Sequence, residues 1–462
     1  MIKLSPRRRV AVLATLVICG LLVFLIACSD NSSSNNNNQQ RSTFSVVMFA
    51  GDSLTAGFQS GSLWQKTQVN GWAPLVAKQG GFQIIQPLIA DPGIPAALEL
   101  VSLGPPPVIQ PMPGTSSGRI NQLMWPTDVA VPGHTLSDLI NYAPVVPPAT
   151  NEDIITDVVL AYPPGQTHTQ LQQVVDANPT TVFVWIGNND ALVADFAGTP
   201  AVMTSVADFT TQFTSMMNTL SSKTTAKILV GNVPDVTSVP YLFPAPVVVA
   251  QVQGILAGYG VNLDAVTLST MLGVGPGDFV NLEQGVQTEV PAFVATLLGG
   301  GSPSPLSDGA VLSATEVAQV QANVNSYNAV IAAQAASAGA TVVDIHAVFA
   351  ATGDCRIPVL PCTGVPINGY PASNAFLGGL FSLDGIHPTN TGYAIIANAF
   401  IDTMNASLGT SVADVDVSAV AAADPLFPPN FPAPGAAHAT ALKTGQIPKG
   451  IPKANYEIFH RR

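Results

Sequence analysis

Short, continuous runs of apolar residues recur along the chain, and each run ends in glycine or polar residues. The runs cover residues 46–50, 181–186, 226–230 and 341–345. Such a run, bounded by turn residues, is typical of a strand buried on both faces of a parallel sheet. The first run leads into Gly51-Asp-Ser-Leu54 and the second into Gly187-Asn-Asn-Asp190. We expect the polar residues of these two turns to lie side by side, where ligands of open α/β sheets bind.

Helical periodicity lies between these runs. Apolar residues recur at spacings of three and four over residues 206–220, which predicts an amphipathic helix. Ser313 and Glu316 have the spacing of a capping box and open a helix that ends near Gly339. Another helix is predicted over residues 394–404. Strands alternating with helices indicate an α/β fold, with a parallel sheet covered by helices on both sides.

Two long stretches interrupt this alternation. Residues 58–127 show no strong periodicity, and they include a formal G-x-S-x-G at Gly114–Gly118. The nucleophile elbow of α/β-hydrolases needs a strand before this motif, whereas a proline-rich run precedes it here, so we interpret it as a loop. Residues 240–312 have the composition of an apolar insertion. Two interpretations stay open: a structural excursion packed on the core, or a lid or wall that binds acyl chains.

The N-terminus has the pattern of a targeting segment. Four basic residues near the start precede an apolar stretch at residues 10–27, which ends in Leu25-Ile-Ala-Cys28. This ending resembles the lipobox of bacterial lipoproteins, in which cleavage leaves a lipidated cysteine first. We therefore predict a signal peptide at residues 1–27 and a polar tether at residues 28–42. An uncleaved membrane anchor is the alternative, because about 18 apolar residues just span a bilayer.

Composition and charge restrict the partners. Of 462 residues, 47% are hydrophobic and only 10% are charged, against roughly 25% charged in an average soluble protein. The chain can therefore bury a large core. The net charge is −12 and no basic stripe is present, so nucleic acid is not an expected partner.

The four cysteines divide into two groups. Cys19 and Cys28 lie in the targeting segment, and Cys28 is the predicted site of lipidation. Cys355 and Cys362 remain, and in an oxidising envelope compartment we expect them to form a disulfide that closes a small loop. A metal site is not expected here, because no second pair of ligands accompanies them.

Three features carry candidate chemistry. Ser53 follows the first strand, where a nucleophile would be placed. Asp384 precedes His387 by three residues, so its carboxylate can reach Nδ1 while Nε2 takes a proton from a serine. Gly133 ends a short strand predicted at residues 128–133 and suits an amide donor to an oxyanion. Each feature alone has a structural alternative: a helix cap, a capping aspartate beside an incidental histidine, or an ordinary turn glycine.

Together, these blocks resemble the GDSL, or SGNH, hydrolase family. Gly51-Asp-Ser-Leu54, Gly133, Gly187-Asn-Asn-Asp190 and Asp384-Gly-Ile-His-Pro388 occur in the family's order. The resemblance implies a flavodoxin-like, three-layer α/β/α fold with strand order 2-1-3-4-5. It places the hydrolase domain at residues 43–405, including the insertion, and leaves residues 406–462 as a C-terminal extension. The spacings 54–133 and 236–312 exceed those of compact members, so the walls of the pocket are not predicted.

The resemblance also implies a role for each site residue. Ser53 would be the nucleophile, His387 the general base and then acid, and Asp384 the carboxylate that orients the imidazole. The backbone amides of Ser53 and Gly133, with the side-chain amide of Asn189, would form the oxyanion hole.

The neighbouring polar residues are expected to act differently. Asn189 is preferred to Asn188 for the oxyanion hole because the family pattern is Gly-x-Asn-Asp. Asp52 and Asp190 are expected to be structural, capping or bracing their loops.

The expected function is a serine esterase or lipase that cleaves carboxylic esters through an acyl-enzyme. The lipobox places it in the bacterial cell envelope, lipid-anchored and facing the periplasm or the exterior. No metal or nucleotide cofactor is implied, and the expected partners are an ester substrate and the membrane. One alternative is a carbohydrate O-deacetylase, against which the 7% aromatic content counts mildly. Another is a ligand-binding lipoprotein without catalysis, against which the complete set of catalytic residues counts.

Overall fold

A computed structural model describes residues 43–104, 106–356, 362–431 and 448–460. The predicted signal peptide and tether, including Cys28, lie outside the described residues. Among the helices that are described, none has the length and apolarity needed to cross a bilayer.

The strands of the described residues belong to one central sheet and to small peripheral pairings. They are β1 (Val47–Gly51), β2 (Leu98–Ser102), β3 (Val108–Pro111), β4 (Thr181–Trp185), β5 (Lys227–Gly231), β6 (Leu242–Pro244), β7 (Phe279–Asn281), β8 (Val311–Leu312), β9 (Thr341–Val343), β10 (Val365–Ile367) and β11 (Tyr370–Ala372).

The central sheet is parallel, in the order β1-β4-β5-β9. A further segment, residues 127–131, lies along the free side of β1. Phe49 N–H donates to the Thr127 carbonyl at 2.8 Å, and Val131 N–H donates to the Gly51 carbonyl at 3.1 Å. When only the members of this sheet are numbered in chain order, residues 127–131 are the second. The order across the sheet is then 2-1-3-4-5, which confirms the expected α/β/α fold.

Helices occupy the connections between these strands. They are α1 (Ser53–Ala56), α2 (Gln65–Gln68), α3 (Trp72–Gly80), α4 (Leu136–Asn141), α5 (Asn151–Leu160), α6 (Gln170–Asp176), α7 (Asn188–Ala197), α8 (Val206–Lys223), α9 (Ala245–Gly258), α10 (Ala265–Leu272), α11 (Val290–Leu298), α12 (Ala314–Ala338), α13 (Ile345–Ala351), α14 (Asn390–Leu408) and α15 (Val417–Ala423). A π-helix spans Leu282–Glu289, and short 3-10 turns include Lys453–Asn455 and Glu457–Phe459.

The two faces of the sheet bury different residues of the same strands. In β1, Phe49 points to a cluster with helices α3 and α14, whereas Met48 and Ala50 point to the larger cluster with α8 and α12. On the first face, the rings of Trp72 and Phe400 stack with centroids 3.8 Å apart. Because side chains alternate along a strand, an all-apolar run can fill both clusters at once.

The helices predicted from periodicity are present. Helix α8 buries Phe209, Phe213 and Leu220. Helix α12 begins with the capping box of Ser313 and Glu316 and ends at Gly339, whose φ is 66°. The sequence pattern did not reveal α3, because nine residues with Gly at both ends give too short a repeat. Helix α14 continues to Leu408, beyond residue 405, the predicted end of the hydrolase domain.

Residues 240–312 form a compact unit beside the site. Strands β6, β7 and β8 make an antiparallel sheet, joined by helices α9, α10 and α11. The base of this unit contacts the loop that carries His387, since Tyr241 N–H donates to the Gly385 carbonyl at 2.8 Å. Nearby, Cys355 and Cys362 are joined by a disulfide, with Cα atoms 5.2 Å apart.

Candidate active site

The site begins where β1 ends. Asp52 caps helix α1 by accepting from the Leu54 N–H at 3.0 Å, and Ser53 is therefore the first helical residue. Gly57 ends this single turn at a φ of 75°. The strand, the cap and the glycine together hold Ser53 at the carboxyl edge of the sheet, with only 3% of its surface exposed.

A chain of hydrogen bonds joins Ser53 to His387 and Asp384. His387 Nε2 lies 2.9 Å from Ser53 Oγ, and His387 Nδ1 lies 2.9 Å from Asp384 Oδ2. An ionised carboxylate only accepts hydrogen bonds, so this geometry assigns the proton to Nδ1 and leaves Nε2 as an acceptor for the serine hydroxyl. The three side chains can therefore activate a hydroxyl.

The Asp384 carboxylate is stabilised as an anion. Burial raises its pKa, but the charge of His387 and hydrogen bonds from His387 and Ile386 outweigh burial and leave the pKa below its ordinary value. Gly61 N–H also donates to Oδ2 at 2.6 Å. A carboxylate that accepts several N–H groups stays ionised even when it is buried.

Three consecutive residues at the start of α7 tie the neighbouring loops together. Asn188 Nδ2 donates to Asp52 Oδ2 at 2.8 Å. Asn189 Nδ2 donates to the His134 carbonyl at 2.8 Å, and Asp190 Oδ2 accepts from the Leu136 N–H at 2.9 Å. Gly187, at a φ of 108°, lets the chain turn from β4 into these three contacts. The loop that carries Ser53 and the loop that carries Gly133 are thus both held against the start of α7.

The structure places Gly133 and Asn189 together, beside the end of β1. The carbonyl that Asn189 contacts belongs to the residue after Gly133. An amide group has two hydrogens, so Asn189 Nδ2 keeps a second one for a ligand. Gly133 has a φ of 82°, and a Cβ atom there would collide with the Ile458 carbonyl. The structure therefore places Asn189 next to the turn that carries Gly133, and their role as oxyanion donors stays a prediction.

Two buried aspartates have raised pKa values. Burial raises the pKa of Asp52 to about 7, against hydrogen bonds from Asn188 and Leu54 that lower it. Burial also raises the pKa of Asp128 to about 8. Their contacts, to Leu54 and Asn188 and to the Ala130 N–H, are braces within the loops.

A glutamine that no sequence motif indicated links two parts of the site. Gln170 Oε1 accepts from the Gly51 N–H at 3.0 Å, and its Nε2 lies 3.0 Å from His134 Nδ1. Burial lowers the pKa of His134 to about 4, so this ring is neutral and structural. Gln170 opens helix α6 directly after its Thr169 cap, and nothing local marks it as a brace.

The segment Pro448–His460 was also not predicted as part of the site. It lies against the site, with the Phe459 ring centroid 5.4 Å from that of His387. No periodic pattern or motif marks it in the sequence.

The whole arrangement agrees with a family comparison. The model of the GDSL-like lipase/acylhydrolase family matches residues 47–400. The chain belongs to this family. The match includes Ser53, Gly133, Asn189, Asp384 and His387, and it includes the insertion.

Solved structures give weaker likenesses. The lipase/acylhydrolase from Enterococcus faecalis is 12% identical at a TM-score of 0.31, covering 80% of this chain and 100% of that chain. A Geobacillus acetyl-xylooligosaccharide esterase variant is 12% identical at 0.31, covering 80% and 96%. An extracellular lipase from Streptomyces rimosus is 15% identical at 0.33, covering 78% and 98%. At these scores the likenesses support no argument about substrate. No curated protein sequence matches the chain at a significant level.

Among the described residues, no group of three or more His, Cys, Asp or Glu side chains is placed to hold a metal ion.

Proposed function

We propose that this member of the GDSL-like lipase/acylhydrolase family is a serine esterase that cleaves carboxylic esters through an acyl-enzyme. One observation carries the proposal: the hydrogen-bond chain from Ser53 Oγ through the His387 ring to Asp384. A serine hydroxyl is a weak nucleophile unless a base of this kind is adjacent.

In the proposed mechanism, Ser53 Oγ attacks the ester carbonyl carbon as His387 Nε2 takes its proton. Asp384 stabilises the imidazolium without itself taking the proton. The carbonyl oxygen becomes an oxyanion, which the amides of Ser53 and Gly133 and the side chain of Asn189 would stabilise. The tetrahedral adduct collapses, His387 protonates the departing alcohol, and an acyl-Ser53 ester remains.

A water molecule then repeats the sequence in the second half of the reaction. His387 takes a proton from the water, whose oxygen attacks the acyl carbon. The adduct expels Ser53 Oγ, which recovers its proton from His387. The carboxylic acid leaves and the resting enzyme is restored. The proton transfers use Ser53, His387 and Asp384, each of which already lies within hydrogen-bond distance of the next.

The nucleophile is tested with Ser53→Ala, assayed on p-nitrophenyl butyrate. We expect kcat to fall by on the order of 10⁶, since removal of a triad serine costs about this much in a comparable hydrolase. Ser116→Ala is the matched control: Ser116 belongs to the G-x-S-x-G loop, and its hydroxyl donates to the Ala90 carbonyl. Retained turnover in Ser53→Ala, or lost turnover in a folded Ser116→Ala, contradicts the assignment.

We also propose that the enzyme is lipid-anchored through Cys28 and works in the bacterial cell envelope. The support is the basic start, the apolar stretch at residues 10–27 and the polar residues that follow Cys28. Carbohydrate O-deacetylation stays the alternative activity. A series of p-nitrophenyl esters from acetyl to palmitoyl separates the two, because a deacetylase loses activity beyond the acetyl group.

A further inference from the structure

The C-terminal segment Pro448–His460, here called the strap, crosses the mouth of the site. It begins beside β3, where Ile109 N–H donates to the Lys449 carbonyl at 2.9 Å. Further on, Asn455 Nδ2 donates to the carbonyls of Gly61 at 3.1 Å and Ala96 at 3.0 Å. Because Gly61 also donates to the Asp384 carboxylate, the strap is attached next to the catalytic carboxylate.

The end of the strap covers the reacting atoms. The Ile458 carbonyl approaches Gly133 so closely that no side chain fits between them. The Phe459 ring lies against the His387 imidazole, and the Tyr456 hydroxyl donates to the Asp384 carbonyl at 2.9 Å. The strap thus places a main-chain carbonyl at Gly133 and an apolar ring beside His387. A bound ester would place its own carbonyl and an apolar group at the same positions.

Phe459 fills an aromatic pocket. Its ring is stacked on that of Phe196, with centroids 5.9 Å apart, and it meets the edge of Phe58 at 5.6 Å. Phe58 in turn lies 4.7 Å from His387. Phe459 is 5% exposed, so the pocket is full, and its Phe58 and Phe196 walls are apolar.

Polar contacts hold the strap at its far end. His460 Nε2 lies 2.7 Å from Glu283, and Lys453 Nζ lies 3.7 Å from the same carboxylate. Glu283 belongs to the insertion, so the insertion and the strap meet at this point. The Lys453 side chain is 69% exposed, so its ion pair with Glu283 contributes little to holding the strap.

We propose that the pocket of Phe58, Phe196 and His387 is the subsite for an apolar group of the ester, and that Phe459 occupies it in the resting enzyme. The inference rests on the proposed function. An ester carbonyl must come within about 3–3.5 Å of the nucleophile, and Ser53 is 3% exposed beneath the strap. Substrate therefore displaces the strap, and esters with an alkyl chain or ring that refills the pocket are favoured over acetyl esters.

The kinetic test compares Phe459→Ala with wild type in the full chain. If only a minor fraction of the enzyme has the pocket open, removal of the Phe459 ring raises the apparent affinity for substrate. We expect kcat/KM for p-nitrophenyl octanoate to rise at least about tenfold, mainly through KM, with a smaller change for the acetate. Phe431→Ala, also buried in the C-terminal extension, is the control and should match wild type. An unchanged or lower octanoate-to-acetate ratio in Phe459→Ala overturns the proposal.

A second test needs no catalysis. Wild-type protein is titrated with 1-O-octylglycerol, an ether that cannot be hydrolysed, while amide hydrogen exchange is followed over residues 453–460. Displacement predicts faster exchange in these residues at saturation, and tighter binding to Phe459→Ala. Unchanged strap exchange on binding, or no binding to either protein, overturns the subsite. If the ether displaces the strap but no variant hydrolyses esters, the subsite proposal stands and the proposed esterase function is wrong.

Discussion

At the scale of single residues, adjacent polar side chains of like chemistry have different roles. Asn188 and Asn189 are neighbours of identical type and are both nearly buried. The amide of Asn188 donates to the Asp52 carboxylate, whereas that of Asn189 donates to a main-chain carbonyl beside Gly133. Direction decides the role: the first points to the loop of the nucleophile and the second to the proposed oxyanion hole.

This difference predicts opposite phenotypes. Asn189→Ala removes an oxyanion donor, so we expect kcat to fall about 10²–10³-fold with little change in KM. Asn188→Ala leaves the oxyanion donors in place but removes a hydrogen bond to the buried Asp52 carboxylate. We therefore expect a lower melting temperature and a smaller loss of kcat. Steady-state kinetics and thermal unfolding of both variants measure the two effects. The reverse pattern would assign the oxyanion contact to Asn188.

A second prediction at this scale concerns pH. Burial raises the pKa of Asp128 to about 8 in the folded protein, above about 3.9 for an unfolded aspartate. Between these values the folded state binds more protons, so this residue makes stability fall as pH rises, by up to about 1.4 kcal/mol per pH unit. Asp128→Asn should flatten the dependence of unfolding free energy on pH from about 4 to about 8. An unchanged slope in urea titrations would show that Asp128 is not the source.

At the scale of elements, short local signals set where helices begin and end. The capping box of α12 is complete, with Glu316 Oε2 accepting from the Ser313 N–H at 3.0 Å. The helix then runs from Ala314 to Ala338 and buries Val320, Val324 and Ile331 in the larger core cluster. A signal of four residues thus positions an element of 25 residues.

The cap is testable by itself. Ser313→Ala leaves the first-turn N–H groups without their side-chain acceptor, and we expect a loss of about 1 kcal/mol in unfolding free energy. Ser326→Ala lies in the interior of the same helix, where alanine is the better helix former, so its effect should be near zero or slightly stabilising. Guanidinium unfolding of both variants decides the point. Equal effects would mean that the cap contributes nothing specific.

At the scale of the whole molecule, the described chain combines a candidate reacting centre with an insertion that contacts it. The insertion supports the His387 loop through Tyr241 and meets the strap through Glu283. The unit packs on the core and contacts the site, whereas the binding of acyl chains by this unit stays a prediction. The proposed lipid anchor involves a separate part of the chain, at residues 1–42.

The proposed lipid anchor at Cys28 predicts where the protein is found. Cys28→Ala removes the thiol that would carry lipid, so we expect the protein to leave the membrane fraction or to accumulate as uncleaved precursor. Cys19→Ala changes a cysteine within the predicted signal peptide and should leave attachment unchanged. Fractionation and the mass of the N-terminal peptide read out both variants. Full membrane attachment of Cys28→Ala with an intact N-terminus would favour the uncleaved anchor.

Much of the site could be predicted because its local determinants are short. A buried strand followed by glycine and polar residues predicted where the turns at residues 51–54 and 187–190 lie. The spacing of Asp384 and His387 predicted their contact, which the structure shows. Gln170 could not be found this way, since it opens a helix and its partners lie far away in the chain, at a separation of 119 residues from Gly51. The short helix α3 was missed because its repeat is too brief to stand out.

The sequence by itself determined the alternation of strands and helices, the caps and the strand tips, because periodicity and turn chemistry act over a few neighbouring residues. Only the tertiary structure decided which distant tips meet, as in the contact between Ser53 and His387 across 334 residues. It also decided that the strap covers the site. The strap is held by packing and single hydrogen bonds, which produce no periodic pattern in the sequence. Long-range contacts of this kind depend on the folded arrangement of the whole chain and have no local signature.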